Sequence, residues 1–203
     1  MPALVSVLLL LSAWLCSAQD RESLPEKFRK AADYKVIQAD FRQVRELPEL
    51  DMKVEIRGEM ICEKSGRLRW QVRTPVRSIT LIGQDELRHF DGETGKLAVI
   101  SPEKLPWPGI LRDCMTDWIS GDPDRLKRRF NLEVKDARTL RLRAKNDPLR
   151  QLFNAVEIRI SADFNAVEQI RIEEKSGGRL TIHFSQVRKN PVLPDQIWQL
   201  PPP

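Results

Sequence analysis

The sequence predicts a mainly β chain with some helix: a strongly curved antiparallel sheet whose concave apolar face is covered by helices. Three observations carry this. Apolar and charged residues alternate with a period of two through most of the chain. Lys64-Ser65-Gly66, Asp91-Gly92 and Gly177-Gly178 cut that alternation into short runs, as hairpin turns do. One central stretch, bracketed by Pro102, Pro106 and Pro108, switches to helical period.

Taken in order, residues 23–34 open the domain as a helix, with Leu24, Phe28, Ala31 and Ala32 on one side. Val54, Ile56, Gly58, Met60 and Cys62 then share one strand face, and Glu55, Arg57, Glu59 and Glu63 the other. Leu68, Trp70 and Val72 alternate with Arg67, Arg69, Gln71 and Arg73. Short strands follow at 78–83, 86–90 and 96–100. The central helix carries Ile110, Leu111, Cys114, Met115, Trp118 and Ile119 as a stripe and stops at Gly121, with a short helix expected over 122–128. Alternation resumes through Phe130, Leu132 and Val134, then Leu140 and Leu142, then Val156, Ile158 and Ile160, then Ile170 and Ile172, then Leu180, Ile182 and Phe184. About ten strands in one sheet should curl.

Composition narrows the function. Net charge is +5, but the basic residues are interleaved with Asp and Glu, which fits a solvated face better than a nucleic-acid surface. Neither His89 nor His183 has a partner at metal-ligand spacing. There is no Gly-rich phosphate loop and no Gly-x-Ser-x-Gly elbow, so neither an enzyme nor a metal or other cofactor is expected.

Residues 1–18 contain no charged side chain, centre on Leu8 to Leu11, and end in Cys16-Ser17-Ala18. This is expected to be a signal peptide cleaved after Ala18, leaving a single exported, soluble domain over 19–203. The run is short of the roughly 20 apolar residues that a membrane span requires. The rival is a lipoprotein signal acylated at Cys16, although Trp14-Leu15 stand where that processing takes small residues. Cys62 and Cys114 would then sit in an oxidising compartment, either bonded to each other or as two buried thiols. They occupy the apolar phases of a strand and of the central helix, both directed at the concavity.

Phe41-Arg-Gln43, Gly58-Glu-Met60, Leu68-Arg-Trp70, Thr74-Pro75 and Phe184-Ser-Gln-Val187-Arg-Lys-Asn190 fall in order along the chain. This set resembles the LolA-type periplasmic lipoprotein carrier family. The resemblance implies an unclosed β-barrel with a helical lid, and a monomeric carrier in the periplasm. Its partners would be an acylated lipoprotein cargo, an inner-membrane exporter and an outer-membrane acceptor. Another lipid or glycolipid as cargo, or a lipid-sensing scaffold, remains open on the same fold.

The apolar strand phases assign the cavity lining to Val54, Ile56, Met60, Leu68, Trp70, Val72, Ile79, Leu81, Leu140, Leu142, Val156, Ile158 and Phe184, with an ordinary filled core as the alternative. Trp107, Ile110, Leu111, Met115 and Trp118 form the expected lid, either mobile or permanently docked. Carriers of this type hold the lid with an arginine in the turn before the L-x-W strand. Here that position is Lys64, with Arg67 close by as a substitute.

Overall fold

The structure is a computed structural model that describes residues 22–83, 86–100 and 107–201, and for 107–112 the backbone alone. Eleven strands form one antiparallel sheet: β1 Val36–Leu47, β2 Met52–Glu63, β3 Leu68–Thr74, β4 Ser78–Ile82, β5 Leu87–Asp91, β6 Leu97–Ile100, β7 Phe130–Asp136, β8 Thr139–Ala144, β9 Phe153–Ile160, β10 Val167–Glu174 and β11 Arg179–Lys189. Their spatial order is β6-β5-β4-β3-β2-β1-β11-β10-β9-β8-β7. The first and last strands thus meet in the middle, and β6 and β7 are the edges of a sheet that does not close. Four helices accompany it: α1 Leu24–Ala31, α2 Trp107–Ser120, α3 Pro123–Arg129 and α4 Leu149–Leu152.

The expected strands are present, and β1 is the additional one. Its inward phase begins Ile37, Ala39 and Phe41 but continues with Gln43 and Arg45, so the alternation fades halfway along. The partner strands on both sides, not its own pattern, set its length.

Cross-strand register defines the inward face. One row runs Leu140, Ile158, Ile170, Ile182, Gln43 and Ile56. The next runs Leu142, Val156, Ile172, Leu180, Arg45 and Val54. Apart from Arg45, charged residues gather on the outer face, where Arg141 bridges Glu157 at 2.7 Å and Glu173 at 3.0 Å, and Lys135 meets Glu157 at 2.6 Å.

The motif residues explain each other. Phe41 lies opposite Gly58, and its ring stacks on Trp70 with centroids 3.9 Å apart. A Cβ on Gly58 would run into the Gln71 carbonyl and come within 2.8 Å of the Phe41 ring. The glycine is the space through which the aromatic pair closes. Asn190, at φ +51, accepts at Oδ1 from the N–H groups of Lys35 (2.7 Å) and Val36 (3.2 Å), which fastens the end of β11 to the start of β1.

One face assignment is corrected. Leu68 pairs with Ile82, Trp70 with Thr80 and Val72 with Ser78, so Ile79 and Leu81 point outward. The inward phase of β4 is Ser78, Thr80 and Ile82, so the register set across the 74–77 turn puts the less apolar phase inside. Leu81 is buried nonetheless, beside Arg67 and Trp198 of the C-terminal segment. Arg69 holds that segment by donating to the carbonyl of Ile197 at 2.9 Å.

Replacing Gly58 with Ala should lower stability by about 1–3 kcal/mol, the range for overpacking a filled site. Urea denaturation measures this. An unchanged midpoint would mean that the Phe41–Trp70 stack does not require the glycine.

Candidate functional site

The helices reach the concave face unequally. α2 packs on β10 and α3 on β7. On α2, Cys114, Trp118 and Ile119 are buried and Met115 is partly buried against the same core. Trp118 meets Phe153 edge-on at 5.5 Å and Phe130 at 6.2 Å. α2 ends at Gly121, φ +66, where a Cβ would meet Val167 at 2.9 Å and Phe28 at 3.2 Å. Of the expected lid residues, Met115 and Trp118 therefore lie on the sheet. The side chains of Trp107, Ile110 and Leu111 lie outside the described residues.

The expected cavity residues divide. Met60, Leu68, Leu140, Leu142, Val156 and Ile158 are buried in a filled core, joined by Phe184. Ile56, Trp70 and Val72 pack against its margin, and Val54 is 40% exposed. Among the described residues, an open cleft of about 400 Å3 lies at one end of the concavity. Its walls are Trp118, Leu152, Phe153, Ile172 and Leu180, and its rim carries Arg45, Gln151, Glu174, Lys175 and Ser176. Arg45 and Glu174 form an ion pair at 3.0 Å across that rim. Val54 stands beside Arg45 in the same cross-strand row.

Of the wall residues, only Trp118 was expected at the site. Ile172 and Leu180 share the inward phase of Ile170 and Ile182, so their direction is readable from alternation. That they face space and not core depends on where α2 and α4 stop. Among the described residues the indole N–H of Trp118 is buried and meets no acceptor. A buried donor left unpaired costs about 1–3 kcal/mol.

Two ion-paired arginines, outside the expected set, hold α2. Asp117 is buried and accepts from Arg129 at 2.6 Å, while its other oxygen lies 3.0 Å from Arg125. Arg129 also donates to Asp113 at 2.7 Å. Burial pushes the Asp117 carboxyl above its ordinary range, and the two guanidiniums only partly reverse this. The anticipated holders act elsewhere. Arg67 pairs with Glu63 at 2.6 Å and covers the Trp198 ring at 4.1 Å. Lys64 contributes its backbone carbonyl, which accepts from Arg125 at 3.3 Å. Among the described residues neither side chain reaches α2.

Cys62 and Cys114 are both free and buried, so the disulfide considered from the sequence is not formed. Burial pushes each thiol up to about 12. Among the described residues no group of His, Cys, Asp and Glu could hold a metal. The arrangement offers apolar contact with a polar rim, which suits binding.

Asp117→Asn should cost about 2–3 kcal/mol. That is less than the ~3–5 of a fully buried pair because the side chains of Arg125 and Arg129 are 25% and 34% exposed. Urea midpoints give the loss, and hydrogen exchange over 113–120 should rise more than in β1 and β11; uniform exchange would remove the role of Asp117 in holding α2. Cys62 and Cys114 should resist alkylation at neutral pH in the folded protein and both react once it is unfolded, as read by peptide mass mapping. A Cys62–Cys114 crosslinked peptide from unreduced protein would contradict the free thiols.

Comparison with known proteins places these features. An outer-membrane lipoprotein carrier protein of Legionella pneumophila strain Paris is 22% identical over 147 residues, 72% of this chain and 69% of that protein. The carrier of strain Corby is 21% identical over the same length and shares. Among solved structures, a DUF1329 family protein from Desulfovibrio piger superposes with TM-score 0.53 at 9% identity, covering 87% of this chain and 94% of that one. An uncharacterized conserved protein from Thermus thermophilus gives 0.53 at 11% identity, covering 87% and 92%. These structural likenesses concern the fold alone. The family described as outer membrane lipoprotein carrier protein LolA matches residues 32–201, from the approach to β1 to the end of the C-terminal segment. Carriers of that family bind and transport and are not enzymes. With the unclosed antiparallel sheet and the matched span in agreement, the chain belongs to the LolA family of outer-membrane lipoprotein carrier proteins.

Proposed function

We propose that this chain is a periplasmic carrier that takes the acyl chains of lipoproteins into the cleft beneath α2 and α4 and ferries them towards the outer membrane. The observation that carries the reading is the cleft itself: Trp118, Leu152, Phe153, Ile172 and Leu180 around about 400 Å3. That volume lies within the ~300–1,000 Å3 of small-molecule sites. Each methylene withdrawn from water contributes about 0.8 kcal/mol, so a multiply acylated protein needs such a surface to cross an aqueous compartment. Release then requires that something offset the gain.

In this reading residues 1–18, which lie outside the described residues, are the cleaved signal. An inner-membrane exporter loads the carrier and an outer-membrane acceptor unloads it. Among the described residues no helix is long and apolar enough to cross a membrane.

A fluorescent fatty-acyl probe should bind the purified protein. Leu180→Arg, which places a charge in the cleft wall, should weaken that binding at least about tenfold without unfolding the sheet. Equal binding by the variant would move the site elsewhere, and no binding by the native chain at saturating probe would overturn the carrier reading. Mass spectrometry of material that co-purifies from the periplasm identifies the cargo.

A further inference from the structure

The sheet does not close, so it presents two edges, and they differ in how they are protected. β7 carries Glu133, Lys135 and Asp136 among its seven residues. Charges of this kind keep a strand edge in water and oppose the addition of another strand. β6 reads Leu97-Ala98-Val99-Ile100 and carries neither charge nor proline. Leu97 is 41% exposed and Val99 55%.

Backbone phase shows which groups this edge offers. The Asp91 N–H donates to the Lys96 carbonyl at 2.9 Å, and β5 and β6 continue in that register to Ile100. Hydrogen-bonded and non-hydrogen-bonded pairs alternate along an antiparallel ladder. Lys96, Ala98 and Ile100 therefore turn their backbone groups to β5, and Leu97 and Val99 turn theirs to the open edge. Leu97 shares a cross-strand row with Phe90 and Ile79, and Val99 with Arg88 and Leu81, on the outer face. Among the described residues, the N–H and C=O groups of Leu97 and Val99 thus stand with two apolar side chains at an edge that no further strand covers.

We propose that β6 is the contact between two copies of this chain, which pair edge to edge as antiparallel strands about a two-fold axis through Ala98. This goes beyond the carrier reading, stands without it, and departs from the monomer that the family resemblance implies. Self-complementarity selects a second copy as the occupant. The axis through Ala98 sets Leu97 opposite Val99 of the partner subunit, and Val99 opposite the partner's Leu97. Both are positions whose backbone faces the edge, so all the open groups of β6 are satisfied at once. An axis through Leu97 or Val99 would pair only one of these residues within β6. The strand has no charged side chain, so no like charges meet across the seam, and Leu97 and Val99 cover their counterparts beside Phe90. A seam of four residues a side is small against the ~1,200–2,000 Å2 of a stable interface, so the pairing is reversible and depends on concentration.

The test is sedimentation velocity of the purified protein over a range of concentrations, with three variants. The mean mass of the native chain should rise with concentration. Val99→Lys, which puts a charge on the edge, should hold the mass at the monomer without moving the urea midpoint. Ala98→Cys should crosslink two copies under mild oxidation, because a non-hydrogen-bonded antiparallel pair holds its Cα atoms about 4.5 Å apart, within disulfide reach. Glu133→Cys, also exposed and on the other edge, reports random collision, and Ala98→Cys should outpace it at least about tenfold. Peptide mapping should find position 98 joined to position 98. Equal crosslinking rates, or association that survives Val99→Lys, overturns the β6 seam. A native chain that stays monomeric to about 1 mM overturns it as well, and that measurement needs no variant to fold. Flotation of the native chain on vesicles of anionic and zwitterionic lipid, lost in Val99→Lys and without self-association, reassigns the edge to a lipid surface and overturns the second copy.

Discussion

Everything in this molecule answers to one constraint: the inward face of a single wide sheet is apolar, and the helical chain available to dry it is short. Eleven strands at ~4.8 Å spacing would spread over roughly 50 Å if flat. The 14 residues of α2 make a cylinder about 21 Å long and ~10 Å wide. The sheet therefore curls until its apolar rows face each other, and α1, α2 and α3 close most of the remainder. What α2 and α4 leave uncovered is the cleft. The cleft is the residue of an incomplete covering, which is why it is bounded by ends of elements and by the turn at Lys175 and Ser176.

The same constraint explains why a buried acid is tolerated on α2. Asp117 is costly in a dry place, and its carboxyl stays above its ordinary range even with two guanidiniums beside it. Ion pairs of this kind add little net stability compared with apolar side chains of the same size. Their contribution here is geometric. Only one rotation of α2 about its axis puts Asp117 within 2.6 Å of Arg129 and 3.0 Å of Arg125, and that rotation also turns Trp118 onto Phe130 and Phe153. An apolar stripe alone would allow the helix to roll.

The class of fold was legible because a half-wet strand writes its geometry into alternation. Val54 to Cys62 and Leu140 to Leu142 show this, each with one face inward and one outward. β1 was not, because an interior strand bordered on both sides needs no pattern of its own past Phe41. Leu81 failed for a related reason: in a short strand the register and not the more apolar phase decides which face is inside. The cleft was half legible. Alternation gives the direction of Ile172 and Leu180, but whether a direction ends in core or in space depends on helix termini far away in sequence. Cys62 and Cys114 do share an apolar environment as their phases suggest, and remain separate thiols because phase carries no distance.

The position of β11 has a consequence for the order of events in making the molecule. The last strand lies between β1 and β10, and Asn190 just past its end fastens β1: its Oδ1 accepts from the N–H groups of Lys35 and Val36, and its own N–H donates to the Val36 carbonyl. Until residues 179–190 arrive, β1–β6 and β7–β10 are two separate half-sheets, each with an open edge at the place where the other will join. Pairing across that seam spans nearly the whole chain, so loop closure must come before the contacts that reward it. Assembly of the complete sheet therefore waits on its final strand, which couples the two ends of the chain.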